Sequence, residues 1–374
     1  MKFALGAVAL ALAAPVFAQS SVNIYGVIDV NGSYTKGHSS LIRENSGGLN
    51  GSRLGFKGSE DLGDGYKANF VLEAGINVDT GSSAQGGTLF GRQAYGEIVT
   101  PTYGKFSAGR QYSSIYWATD GFSETGANPT GPSPFVIGGY GGYEPVRGNS
   151  GATPATQPGY GSSLNGGPVR VNNSFRYTSP TYAGVTGSVL YGAGEVTGQT
   201  NQDRLWDGSI RYTNYGVDAL VSYVDDRAQG SSLANTADFA TLTLAAQYAW
   251  DAYHVEGGYL HVNDKRSGLA TGTAADGEGF WLGGDYRMGN HLFKTQWVQN
   301  KQTHLSDSTT NAYGLGYQYD FTKRTALYSW LTRFQNGSNA GGGLGRYNTS
   351  IPTGLTTVGD DNLTEFTVGF RHFF

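Results

Sequence analysis

The stretch Y-K-A-N-F-V-L-E-A-G-I-N, Tyr66 to Asn77, sorts its side chains by parity. Tyr66, Ala68, Phe70, Leu72, Ala74 and Ile76 fall on one face of an extended chain, and Lys67, Asn69, Val71, Glu73 and Asn77 fall on the other. Twelve such residues form a strand that is apolar toward one medium and polar toward water. At ~3.3 Å per residue and a tilt near 40°, about ten residues rise ~25 Å, the height of an outer-membrane apolar band.

The same dyad recurs. Val22, Ile24, Ile28, Val30 and Tyr34 oppose Asn23, Asp29, Asn31 and Ser33, and alternation returns at Leu205–Thr213, Val217–Asp225, Phe239–Ala249, Tyr253–Val262, Gly279–Met288, Asn311–Asp320 and Thr364–Phe374. The plausible segments number roughly sixteen, each near the 9–11 residues a tilted strand needs to cross a bilayer. Short turns such as D-L-G-D-G at Asp61, T-N-Y-G at Thr213 and M-G-N-H at Met288 alternate with longer polar stretches: Thr35–Gly51, Val78–Gly87, Arg227–Ala237, Asn263–Glu278, Lys301–Thr310 and Gln335–Asp361. The expected fold is all-β, an antiparallel transmembrane β-barrel of about sixteen strands. Its last strand pairs with its first, because closure removes the exposed edges that invite aggregation. An even strand count puts both termini on the short-turn rim, taken as periplasmic. A soluble sandwich or β-helix also alternates, but it does not account for Tyr253 with Tyr259, Phe280 with Tyr286 and Tyr313 with Tyr319, pairs near opposite ends of one strand face.

Composition agrees. Of 374 residues, 59 are Gly and 25 Tyr, and 14 % are charged against about 25 % in an average globular protein. Cysteine is absent, which excludes disulfide scaffolds and thiolate chemistry. A formal charge of −4 argues against nucleic acid as a partner. Lys2, the apolar Leu5–Ala14 and V-F-A at Val16–Ala18 predict a secretory signal peptide over residues 1–18, leaving 19–374 as the barrel.

Residues 113–169, rich in Gly, Pro, Ser and Thr, make one connection far longer than a turn requires. Such a loop between the fifth and sixth strands is expected to fold into the lumen and narrow it. Its first part carries Asp120 and Glu124. By alternation the wall opposite carries Arg53, Lys57, Lys67, Arg170 and Arg176, with Arg92 on the less clear strand Thr88–Val99. An arginine on the lipid face costs about 2–4 kcal/mol at the midplane, so the lumen is the default orientation. A basic wall facing an acidic loop would discriminate ions by sign; solvation of a wet wall is the plainer alternative.

Catalytic patterns are missing. The six histidines include no H-E-x-x-H pair, and no G-x-S-x-G elbow occurs. His254 and Glu256 share a strand face and could serve as a base and its orienter, but read better as lumen polar residues. G-G-Y-G-G-Y at Gly138–Tyr143 lacks the Lys-Ser/Thr of a phosphate loop, and Asp225–Asp226 or Asp360–Asp361 read better as solvated loop charge than as a Ca²⁺ site. No cofactor and no metal is expected.

The chain resembles the general porins of Gram-negative bacteria, of the β-proteobacterial type found in Burkholderia, Comamonas and Neisseria. The matches are S-S-V-N-I-Y-G-V-I-D at Ser20–Asp29, S-R-L-G-F-K-G-S-E-D-L-G-D-G at Ser52–Gly65, F-G-R-Q-A-Y at Phe90–Tyr95, Y-G-K-F-S-A-G-R-Q at Tyr103–Gln111, R-V-N-N-S-F-R-Y-T-S-P at Arg170–Pro180 and G-F-R-H-F-F at Gly369–Phe374. The resemblance implies a homotrimer of 16-stranded barrels in the outer membrane, in contact with its lipid and lipopolysaccharide, passing ions and small hydrophilic solutes by diffusion. It implies that Phe374 is read by the barrel-assembly machinery. It assigns the constriction to Arg53 and Arg92, with Arg110, Arg170 and Arg176 also in matching motifs, while the third loop looks longer than the family's usual form. Mild anion preference is expected from the inward excess of Arg and Lys on the early strands. The alternatives are a non-conducting surface-binding or adhesin barrel, and a barrel hydrolase dependent on His254.

Overall fold

The computed structural model describes residues 21–37, 39–125, 131–134, 169–195, 197–198, 204–228, 237–264, 277–303, 306–338 and 362–374. The expected signal peptide and most of the long third loop therefore lie outside the described residues. The wall runs through Ser21–Lys36 (β1), Ser40–Ser46 with Arg53–Gly63 (β2), Tyr66–Asn77 (β3), Gln93–Thr100 (β4), Gly104–Tyr112 (β5), Arg170–Thr178 (β6), Val185–Gly192 (β7) and Leu205–Asn214 (β8). It continues through Val217–Ala228 (β9), Ala237–Trp250 (β10), Tyr253–Asp264 (β11), Gly277–Met288 (β12), His291–Gln302 (β13), Thr310–Asp320 (β14), Thr325–Asn336 (β15) and Leu363–Phe373 (β16). Each strand pairs antiparallel with its chain neighbour. β1 pairs with β16 from Val27↔Phe373 to Lys36↔Thr364, so the sixteen strands close into a barrel.

Parity governs both faces. On β1, Val22, Ile24 and Tyr34 are exposed on the outside while Asp29, Asn31, Ser33 and Thr35 are buried inside. On β16, Phe366, Val368 and Phe370 point out while Glu365 and Thr367 are buried. The outward aromatics form two bands. Tyr253 and Tyr286 are in register with ring centroids 4.9 Å apart, and six residues further along the same strands Tyr259 and Phe280 are in register at 4.7 Å. Rings that are apolar on one side and polar at one edge suit the two membrane–water boundaries.

Turn chemistry sets the tight rim. Asp64–Gly65 and Tyr215–Gly216 each place two successive residues at positive φ, the type I′ geometry whose twist matches that of the flanking strands.

Two expectations are corrected. Thr35–Gly51 is not one long polar loop: Leu41, Arg43 and Asn45 alternate with the outward Ile42 and Glu44, and Ser40–Ser46 pairs with Val30–Lys36. The chain then leaves the ladder only over 47–52, where the buried Asp29 carboxylate accepts the N–H groups of Gly48, Leu49 and Asn50 at 2.8, 2.9 and 2.8 Å and the Tyr328 hydroxyl at 2.6 Å. A buried carboxylate must be saturated with donors, and this bight supplies them. The strand expected at Thr88–Val99 begins only at Gln93, preceded by a 3₁₀ turn at Gln85–Gly87, so Arg92 sits at its mouth.

Candidate pore constriction

The helix Ser114–Asp120 (α1) follows β5 directly, and its Ile115, Ala118 and the nearby Phe122 are fully buried against the inward side chains Leu205, Leu220, Val224, Leu260 and Trp281. Ser113 makes no side-chain cap. Instead Asp207 on β8 receives the Ser114 N–H at 2.7 Å and the Ser114 hydroxyl, answering the unpaired amides and the positive end of a short helix. The indole N–H of Trp281 donates to the Phe122 carbonyl at 2.6 Å, and Gln296 donates to the Pro132 carbonyl at 2.8 Å. The described loop residues thus lie against the inner wall. Burial pushes the Tyr116 phenol above its ordinary value, and the nearby Asp120 charge pushes it further.

Four of the basic residues expected at the constriction, Arg53, Arg92, Arg170 and Arg176, gather around Tyr112 and Tyr116 beside this helix. Arg92 pairs with Glu73 of β3 at 2.7 Å, with both side chains about 95 % buried. Glu73 also accepts the hydroxyls of Tyr25 at 2.9 Å and Tyr112 at 3.3 Å. The guanidinium groups of Arg92 and Arg170 lie 5.8 and 5.1 Å from the Tyr112 ring, which stacks on Tyr116 at 3.8 Å. Arg176 donates to the Tyr112 carbonyl, and Arg110 donates to the Gly91 carbonyl at 2.9 Å and to Asn172. Arg53 is half-buried within electrostatic reach of Glu73, Tyr25 and Tyr116; Lys57 is exposed, 5.0 Å over the Tyr25 ring.

Of the two loop acids, Glu124 stands elsewhere. Glu124 is 7 % exposed and meets Lys294 of β13 at 3.2 Å and His254 of β11 at 3.3 Å. Asp120 is half-buried on α1, near Tyr116. Glu73, Asp207, Asp285 and Lys294 were not singled out in the sequence, although the parity of their strands places each on the inner face.

Comparison with known proteins agrees with this geometry. Residues 4–340 match the model of the Gram-negative porin family. An outer membrane porin of Bordetella pertussis is 30 % identical over 85 % of this chain and 90 % of its own length, and outer membrane porin protein 32 of Delftia acidovorans is 29 % identical over the whole of both chains. An anion-selective porin from Comamonas acidovorans superimposes with a TM-score of 0.76 at 25 % identity, covering 95 % of this chain and 100 % of that one. A closed sixteen-stranded wall and a family match over nine-tenths of the sequence lead to one conclusion: this chain belongs to the Gram-negative porin family and is an outer-membrane channel protein.

Proposed function

We propose that the channel passes small hydrophilic solutes and ions by passive diffusion with mild anion preference, without a chemical step, and that the third loop, 113–169, narrows it. The observation that carries this is how the charged groups around the described part of the third loop are exposed. Glu73, Glu124 and Glu256 are all at least nine-tenths buried, while Lys57 is exposed and Arg53 half-exposed with no ion pair holding either among the described residues. Net positive charge facing water inside a low-dielectric wall concentrates anions. The Comamonas acidovorans porin, anion-selective by its own description, supports the same reading.

On this reading the eyelet is bounded by Arg53 and Lys57 on one side and by Asp120 of the loop, with the buried Arg92 and Glu124 and with Arg110, Arg170 and Arg176 shaping the field behind them. The channel works as a homotrimer; a Vibrio cholerae outer membrane protein of the same fold is described as a trimer. The short-turn rim with both termini faces the periplasm, the aromatic bands contact lipid and lipopolysaccharide, and Phe374 engages the assembly machinery.

Reversal potential in a KCl gradient across a planar bilayer tests the central point. Arg53→Ala with Lys57→Ala should move the potential toward the cation side without loss of channel insertion. An unchanged potential would remove these residues from the selectivity filter.

A further inference from the structure

Across β11, β12 and β13, His254, Asp285 and Lys294 stand in one register row, and Glu256, Gly283 and Gln296 stand in the next. Gly283 has no side chain, and the loop enters over it. A Cβ built there would lie 3.2 Å from Glu124 Cγ and 3.2 Å from Glu256 Oε1, so the loop carboxylate and the wall carboxylate converge on that spot. Glu256 is 5 % exposed, and its Oε1 has no hydrogen-bond partner. A buried carboxyl oxygen left bare is costly and calls for a partner.

The geometry points to a site for a divalent transition-metal cation of the zinc class, held by His254 Nδ1, Glu124 Oε1 and Asp285 Oδ2 with the bare Glu256 Oε1 beside them, which would fasten the third loop to the barrel wall. The ligand atoms of Glu124, His254 and Asp285 all lie within 4.8 Å of one another. His254 Nδ1 is 3.3 Å from Glu124 Oε1 and 3.2 Å from Asp285 Oδ2. With metal–ligand bonds of about 2.0–2.2 Å, the edge of a tetrahedron is ~3.4 Å, so little movement would admit the ion.

The surroundings match what a metal-bound histidine needs. Its other nitrogen, Nε2, donates to Gln247 Oε1 at 3.0 Å, and the Gln247 amide donates to Asp218 at 3.3 Å. That chain fixes the ring so that Nδ1, once it has lost its proton, turns its lone pair toward the carboxylates. Lys294 occupies the other oxygen of Glu124, at 3.2 Å. An imidazole in the set favours zinc, nickel, cobalt or copper over magnesium and calcium, which prefer oxygen alone.

Binding is measured on detergent-purified, chelator-stripped protein, so the result does not depend on whether the channel is anion-preferring. Titration with Co²⁺ should give a visible d–d band that saturates at about one equivalent per chain and is abolished by Zn²⁺. His254→Ala and Asp285→Asn should each weaken Co²⁺ binding at least about tenfold, and Gln247→Ala by about 10–100-fold with the stoichiometry kept. Heat-modifiable gel migration identifies folded variants, and His254→Gln replaces His254→Ala if the latter does not fold. No Co²⁺ band in the unsubstituted protein overturns the proposal. So does a band of undiminished affinity in a folded His254 variant, which would place the ion elsewhere.

Discussion

Arg92 and Glu73 form a 2.7 Å ion pair with both side chains about 95 % buried, at the point where the third loop's helix meets the wall. The pair ties the residue before β4 to the middle of β3, and the Tyr25 and Tyr112 hydroxyls complete it. Removing one member of a buried pair leaves an uncompensated charge, a loss of about 3–5 kcal/mol. Glu73→Gln should therefore lower the urea midpoint of the folded barrel more than Lys57→Ala, whose ammonium is exposed. Equal midpoints for the two variants would show that the pair is not a structural tie.

Phe122 anchors the loop by burial as well as through its carbonyl. Its side chain is fully buried, and Phe→Ala in such a setting costs about 3–5 kcal/mol. Because Phe122 belongs to the loop, the cost falls on loop docking rather than on barrel closure. Phe122→Ala should keep heat-modifiable migration and give larger or noisier single-channel currents; a quiet channel of unchanged conductance would contradict this.

The raised Tyr116 phenol gives the docked helix a defined alkaline weakness. A group whose neutral form is favoured by folding has no effect on stability below its unfolded value, near 10, and loses stability as the pH rises above it. The unsubstituted protein and Tyr116→Phe should therefore unfold alike at pH 7. Above about pH 10 the tyrosine protein should lose more of its near-ultraviolet circular dichroism than the phenylalanine variant. Parallel pH profiles would exclude Tyr116 as the titrating group.

Barrel closure depends on a close approach at Gly26, whose N–H and C=O exchange hydrogen bonds with Phe374 at 3.2 Å each. A Cβ at this position would fall 2.2 Å from the Phe374 ring and 2.5 Å from the Arg53 carbonyl. A ring can swing away; a backbone carbonyl in a paired strand cannot, so Gly26→Ala strains the seam itself. The variant should refold into detergent with a reduced yield of the heat-modifiable form, and a wild-type yield would show that the seam tolerates the added carbon.

Alternation made Tyr66–Asn77 readable before any coordinate, and the structure keeps those bounds, because the period of two is a property of each strand alone. The same local rule put Arg53, Lys57, Arg170 and Arg176 on the inner face. It failed at Leu41–Ser46, where a long polar loop was expected, because pairing with β1 outweighed the polar composition. It was silent on partners. Glu73 was sorted to the polar face, yet that it answers Arg92, nineteen residues later, depends on how the chain enters β4.

What the order of amino acids determined by itself is which side chains face lipid and which face water, since that follows from backbone geometry one residue at a time. What only the tertiary structure decided is which charges cancel. Glu124 meets Lys294, 170 residues away, and Asp207 caps a helix 93 residues before it, because barrel closure and loop entry set those separations. Electrostatic pairing depends on distance in space, which strand periodicity does not encode.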